Sequence, residues 1–138
     1  MSDIRNVFDI MGRALSAQQI RMTTVASNIA NADAKASTPE EAFRPLRPVF
    51  SSVYSRTRNA EGFASVDVDR VVALNRQVPR VYEPDHPQAD NEGYVYRSSV
   101  DVSEELVEML ESNRHYQNGL EVVSTVRTLM LRTIDMGK

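Results

Sequence analysis

The sequence predicts an α+β fold in which long N- and C-terminal helices pair as a coiled-coil-like bundle around an inserted β-rich and irregular middle region. Three observations predict it. Apolar residues recur at heptad spacing near both ends of the chain, prolines concentrate between those ends, and short runs of β-branched and aromatic residues lie among the prolines. The organisation that follows is an N-terminal helix over residues 1–36, a middle region over 37–100 and a C-terminal helix over 101–138.

In the first segment Ile4, Phe8, Met11, Leu15, Met22, Val25 and Ile29 follow alternating steps of four and three once Gln18 is admitted. This is the a/d stripe of a helix that pairs with another helix. The first proline is Pro39, so the helix should end between Asn31 and Ala36. In the last segment Val102, Leu106, Met109, Tyr116, Leu120, Val123, Met130 and Ile134 repeat the alternation, with Asn113 and Arg127 as polar members. Leu110, Val122, Val126 and Leu129 widen this stripe, as suits a helix with more than one neighbour. The two stripes can bury against each other within one molecule, antiparallel.

Asp101 is a candidate N-cap, with Glu104 three residues on as in a capping box; Ser103 is the competing cap. Gly137 is placed to stop the helix, with Arg132 and Lys138 near its negative end. In the middle region all six prolines fall between Pro39 and Pro87. Val66, Val68 and Val71–Leu74 alternate with Ser65, Asp67 and Asp69 as a strand. Val78–Tyr82 and Tyr94–Tyr96 are further strand candidates, separated by the turn-rich Glu83–Gly93.

Composition excludes several function classes. With 41% apolar and 25% charged residues, the 138-residue chain can bury a core as one domain. A net charge of −3 without a basic run argues against a general nucleic-acid surface. The absence of cysteine removes disulfides and thiolate metal sites. No apolar run is long enough to span a membrane, and Met1–Asn6 lacks the basic start of a cleavable signal.

The titratable candidates favour no chemistry. His86 and His115 lie far apart without a third ligand pattern. Glu104, Glu105 and Glu108 fit a solvated, dipole-favoured first turn better than acid/base carboxylates. No nucleophile elbow or glycine-rich phosphate loop is present. No catalytic residue, metal or cofactor is therefore expected. Arg114 reads as a snorkelling surface arginine, whereas Arg127, on the stripe itself, reads as half of an inter-subunit ion pair.

Two stretches carry a family likeness. Leu15–Met22 followed by Ala26-Ser-Asn-Ile-Ala-Asn-Ala32 resembles the N-terminal signature of the axial proteins of the bacterial flagellum, the rod, hook and hook-associated proteins. Val100–Val107 through Ser112–Gln117 to Met130–Ile134 resembles their C-terminal signature, with an Arg-x-Tyr element at Arg114 and Tyr116. Asp85–Tyr96 and Phe43–Phe50, with the short length, narrow the likeness to a short rod protein of that family. The chain departs from the common pattern at Ala34, at Glu40 and Glu41, and at Phe43.

The resemblance implies a structural subunit of the proximal rod of the flagellar basal body that transmits torque across the periplasm. It implies copies of itself and other rod proteins as partners, and passage through the flagellar type III export apparatus without a cleavable signal. The subunit-interface residues it suggests are Phe8, Met11, Leu15, Met22, Val25, Asn28, Ile29 and Asn31 at one end. At the other they are Met109, Tyr116, Leu120, Val123, Arg127, Met130 and Ile134. Asn28 and Asn31 have a second reading as helix-end caps. The rival function is a soluble helical adaptor or export chaperone.

Overall fold

The structure is a computed structural model that describes residues 2–54 and 64–137. The Ile4 side chain and Lys138, both used in the sequence reading, lie outside what is described. Helix α1 spans Ser2–Ala30 and helix α2 spans Val102–Met136. Between them run β1 (Lys35–Ala36), β2 (Leu46–Tyr54), β3 (Ala64–Ala73), β4 (Arg80–Tyr82) and β5 (Tyr94–Arg97). The fold is α+β, with the two long helices packed together and the β elements inserted between them in sequence.

The helix ends follow from local chemistry. Asn31 stops α1: its Nδ2 donates to the Ser27 carbonyl at 2.8 Å, satisfying one of the carbonyls a helix end leaves open. Asp101 caps α2 by accepting from the Ser103 and Glu104 N–H groups at 2.9 and 3.2 Å. The reciprocal capping-box bond expected from Glu104 is replaced, because that carboxylate turns outward to two arginines. Gly137 closes the helix through its N–H to the Ile134 carbonyl.

The β elements form two small antiparallel sheets. In one, central β5 pairs with β1 and β4, and Val95 at its middle is fully buried. In the other, β2 and β3 form a long hairpin that packs on α1. Its register shifts between Val49 and Phe50, which pair with Arg70 and Val68 and leave Asp69 as the extra residue of a bulge. Sequence periodicity anticipates β3, β4 and β5, whereas β2 is hidden by Arg47, Pro48 and two serines that break its alternation.

The Glu83–Gly93 connection between β4 and β5 is tightly organised. Asp90 Oδ1 accepts from the Glu92 and Tyr94 N–H groups, each at 2.9 Å. The Tyr94 bond does most to hold the Asp90 carboxyl below its ordinary range. Gly93 turns the chain at φ +81°, a conformation that suits glycine. Arg80 stacks 3.7 Å over the Tyr94 ring.

Candidate assembly interface

The helix pair has one internal seam. Leu15 stands over Gly119, so closely that a Cβ on Gly119 would meet Leu15 Cδ2 at 2.8 Å, and Met11 also reaches this point. Continuing that register puts Met22 opposite Ser112, Val25 opposite Met109 and Phe8 opposite Val126. At Leu15 and Met22 large side chains of α1 therefore fall on small positions of α2, Gly119 and Ser112, as interdigitation requires. On α2 the buried or half-buried row is Glu105, Met109, Ser112, Tyr116, Gly119, Val123, Val126 and Met130, in unbroken four-three alternation.

This row corrects the stripe expected for α2. Met109, Tyr116, Val123 and Met130 belong to both. Leu106, Asn113, Leu120, Arg127 and Ile134 lie one residue further on and stay outside the internal seam, all exposed. Leu120 and Ile134 are 46% and 49% exposed. The physical reason is volume: α1 supplies the bulk, so α2 meets it with the glycine, the serine and a carboxylate. On α1 the expected stripe and the seam coincide. Phe8, Met11, Leu15, Met22 and Ile29 are half-buried and Val25 is buried.

A polar junction locks one end of the seam. Asn28, fully buried, pairs with the backbone of β2 as a neighbouring strand would: Nδ2 donates to the Leu46 carbonyl at 2.9 Å, and Oδ1 accepts from the Leu46 N–H at 2.8 Å. Nδ2 also donates to Glu105 Oε2 at 3.0 Å. Glu105 is fully buried and faces Arg47, whose Nη1 donates to Oε2 at 3.0 Å. Arg47 Nη2 lies 2.6 Å from Oε1 without hydrogen-bond alignment. The Glu105 hydrogen bond raises the Arg47 pKa against the opposing effect of burial. Beside it Arg76 grips Glu104 with two bonds of 2.7 and 2.8 Å, holding that carboxyl below its ordinary value. Farther along, Arg21 of α1 bonds Glu108 of α2.

The sequence singles out Asn28 and Asn31 but not Arg47, Arg76, Ser112 or Gly119, and Glu105, expected in a solvated first turn, is instead fully buried against Arg47 and Asn28. The available signal was the seven-residue spacing of Glu105, Ser112, Gly119 and Val126, which an apolar search passes over. Asn31 is a cap, and Asn28 is a contact between three elements. His86 Nδ1 accepts from the Gln88 N–H at 3.1 Å, a turn role, and His115 lies 3.6 Å from Glu111 on the same helix. Among the described residues no group of three potential ligands converges, and no helix is long and apolar enough to cross a membrane. What the geometry offers is surface. Val102, Leu106, Val107, Leu110, Leu129 and Leu131 of α2 are all more than 40% exposed.

Comparison with known proteins fits these surfaces. Residues 8–34 match the family described as flagella basal body rod protein, and residues 91–136 match the C-terminal family of flagellar basal body rod FlgEFG proteins. These two regions cover most of both paired helices and define the class, an axial rod-type protein. Over its whole length the chain is similar to the flagellar basal-body rod protein FlgC of Salmonella typhimurium, 38% identical over 135 residues that cover 96% of this chain and 97% of the relative. The FlgC of Aquifex aeolicus is 37% identical with both chains fully covered. That of Bacillus subtilis is 28% identical, with 94% and 95% covered. The chain belongs to the FlgC family of flagellar basal-body rod proteins.

Proposed function

We propose that this chain is a structural subunit of the proximal flagellar rod, that it assembles with copies of itself and with other rod proteins, and that it carries torque across the periplasm. The observation that carries the reading is the row of large apolar side chains left exposed on α2 after α1 has packed against it. Exposed large apolar side chains repeated along one helix mark an interaction face. Its placement on a helix, in a family named for the basal-body rod, points to subunit packing rather than to a ligand pocket. A passive element that transmits force needs rigid surfaces, and the buried junction at Asn28, Glu105 and Arg47 stiffens the place where α1, α2 and β2 meet.

Delivery belongs to the same reading. We infer export through the flagellar type III apparatus without a cleavable signal. The test is purification of hook–basal bodies from cells whose only copy is this chain. Its recovery in the rod fraction supports the reading, and a chain that stays in the cytosol while normal rods are built overturns it. In the same cells Leu15→Asp, which puts a charge against Gly119 in the helix seam, should leave cells that synthesise the protein but build no hook. Normal hook–basal bodies seen by electron microscopy in that strain would exclude the helix pair from rod assembly.

A further inference from the structure

The exposed row of α2 has its own heptad spacing. Leu106, Leu110, Leu120 and Leu131 alternate with Asn113, Gln117, Ser124 and Arg127, and each position is exposed. Helix α1 carries an exposed row of the same spacing in Gly12, Ser16, Gln19, Thr23, Ala26 and Ala30, with Asp9 one step before it. Both rows lie one residue C-terminal to the internal seam, and the row of α1 faces away from α2 and from the hairpin, to which Arg13 bonds at Asp67.

We propose that the outer row of α2 docks antiparallel onto the outer row of α1 in a second copy of this chain, in a single register. This deepens the rod-subunit reading and rests on it for its setting. Among antiparallel alignments the register is fixed by complementarity. With Leu106 opposite Ala30, Leu110 falls on Ala26 and Leu120 on Ser16, so these three leucines meet small side chains, while Leu131 falls beyond Asp9 toward the start of α1. The polar positions then meet each other, Asn113 opposite Thr23 and Gln117 opposite Gln19. Arg127 arrives opposite Asp9, whose side chain is 67% exposed and has only the exposed Arg13 as its partner among the described residues. The middle of the internal seam pairs with the sizes reversed, Leu15 over Gly119 and Met22 over Ser112.

Other antiparallel registers fail on the same criteria. A shift of one heptad in either direction puts Asp9 opposite Ile134 or Leu120. Parallel docking with Leu106 on Gly12, Leu110 on Ser16 and Leu120 on Ala26 meets the size rule equally well, but it carries Arg127 to position 33, past the end of α1. Parallel docking would also invert the second copy, because α1 and α2 are antiparallel within each. The antiparallel contact keeps both copies pointing the same way, as repeated addition to a polar structure requires.

The chain has no cysteine, which makes the register directly readable. Full-length chains carrying Ala26→Cys are mixed with chains carrying Leu110→Cys and mildly oxidised, so that only a contact between copies yields a dimer band. A disulfide needs Cα atoms within about 7 Å, whereas seven residues along a helix are about 10 Å. Ala26→Cys with Gln117→Cys therefore serves as the register control, and Ala26→Cys with Leu120→Cys as the parallel control. The expected result is a dimer from the first mixture alone. Asp9→Arg should reduce its yield, and Arg127→Asp on the other chain should restore it. Equal or greater yield from either control, no dimer from the first mixture, or no rescue by the charge exchange overturns the proposal. The same pair in purified basal bodies separates the two readings. Crosslinking to a chain of different mass, or none in basal bodies that contain both variants, overturns the register and leaves the rod-subunit reading standing. Basal bodies without the chain overturn that reading itself.

Discussion

Replacing Arg47 with methionine isolates the energetic role of the buried junction. Arg47 is 20% exposed at its side chain, and its aliphatic stem is close in shape to methionine, so packing changes little. What disappears is the cation facing Glu105, a carboxylate with no solvent exposure. The remaining side-chain donor to Glu105 is Asn28 Nδ2, which also serves the Leu46 carbonyl. Removing one partner of a buried ion pair costs about 3–5 kcal/mol, a large part of the roughly 5–15 kcal/mol by which a domain is stable. Urea unfolding of the purified chain, followed by far-UV circular dichroism, should show the midpoint falling sharply in Arg47→Met. The double variant Arg47→Met with Glu105→Leu should recover most of that loss, since no charge is then left buried and Asn28 keeps its bonds to Leu46. A single variant that loses less than about 1 kcal/mol, or a double variant no more stable than the single, would refute the account of this junction.

Three further outcomes follow from the same geometry. Gly119→Leu forces a side chain into Leu15 and should cost about 1–3 kcal/mol, read as a lowered urea midpoint, while Gly12→Ala, where a Cβ meets nothing, should not lower it. Gly93→Ala should destabilise by about 1 kcal/mol or more in thermal unfolding, because φ is +81° and the new methyl meets Tyr82 at 2.9 Å and Pro84 at 3.1 Å. Acidification should weaken the grip of Arg76 on α2. The Glu104 carboxyl is held below its ordinary value of 4.5, so the contribution is present above that pH and fades as pH falls through the lower folded-state value. Arg76→Ala should flatten this shallow acid limb of a stability–pH curve, and an unchanged limb would contradict the assignment.

The legible part of the fold was the part that apolar periodicity encodes. The α1 stripe from Phe8 on, the strand expected over Val66–Leu74 and the Asp101 cap are local patterns, and the structure contains each of them, the strand as Ala64–Ala73. The α2 seam was not legible in the same way. A pattern search ranks leucine above glycine and serine, so the row of Leu106, Leu120 and Ile134 outweighed the row of Glu105, Ser112 and Gly119. Periodicity shows that a face is apolar, but it does not distinguish burial within a molecule from burial between molecules. Arg47 and Arg76 were invisible for another reason. Their carboxylate partners lie 57 and 28 residues away in sequence, and no local signal links them.

Burial along the helix pair is uneven. In α2 only Glu105 and Ser112 are buried, and in α1 the buried positions run from Ala17 to Asn28. From Gly119 to the far end of α2 no side chain is fully covered. The pair therefore behaves as a zipper fastened at one end. Amide protons near Asn28 and Glu105 should exchange with solvent slowest, and protection should decline turn by turn toward Ser2 and Met136. Closure from the fastened end sets the stagger of the two helices before their distal leucines can meet, so a late-arriving neighbour encounters a frame already aligned.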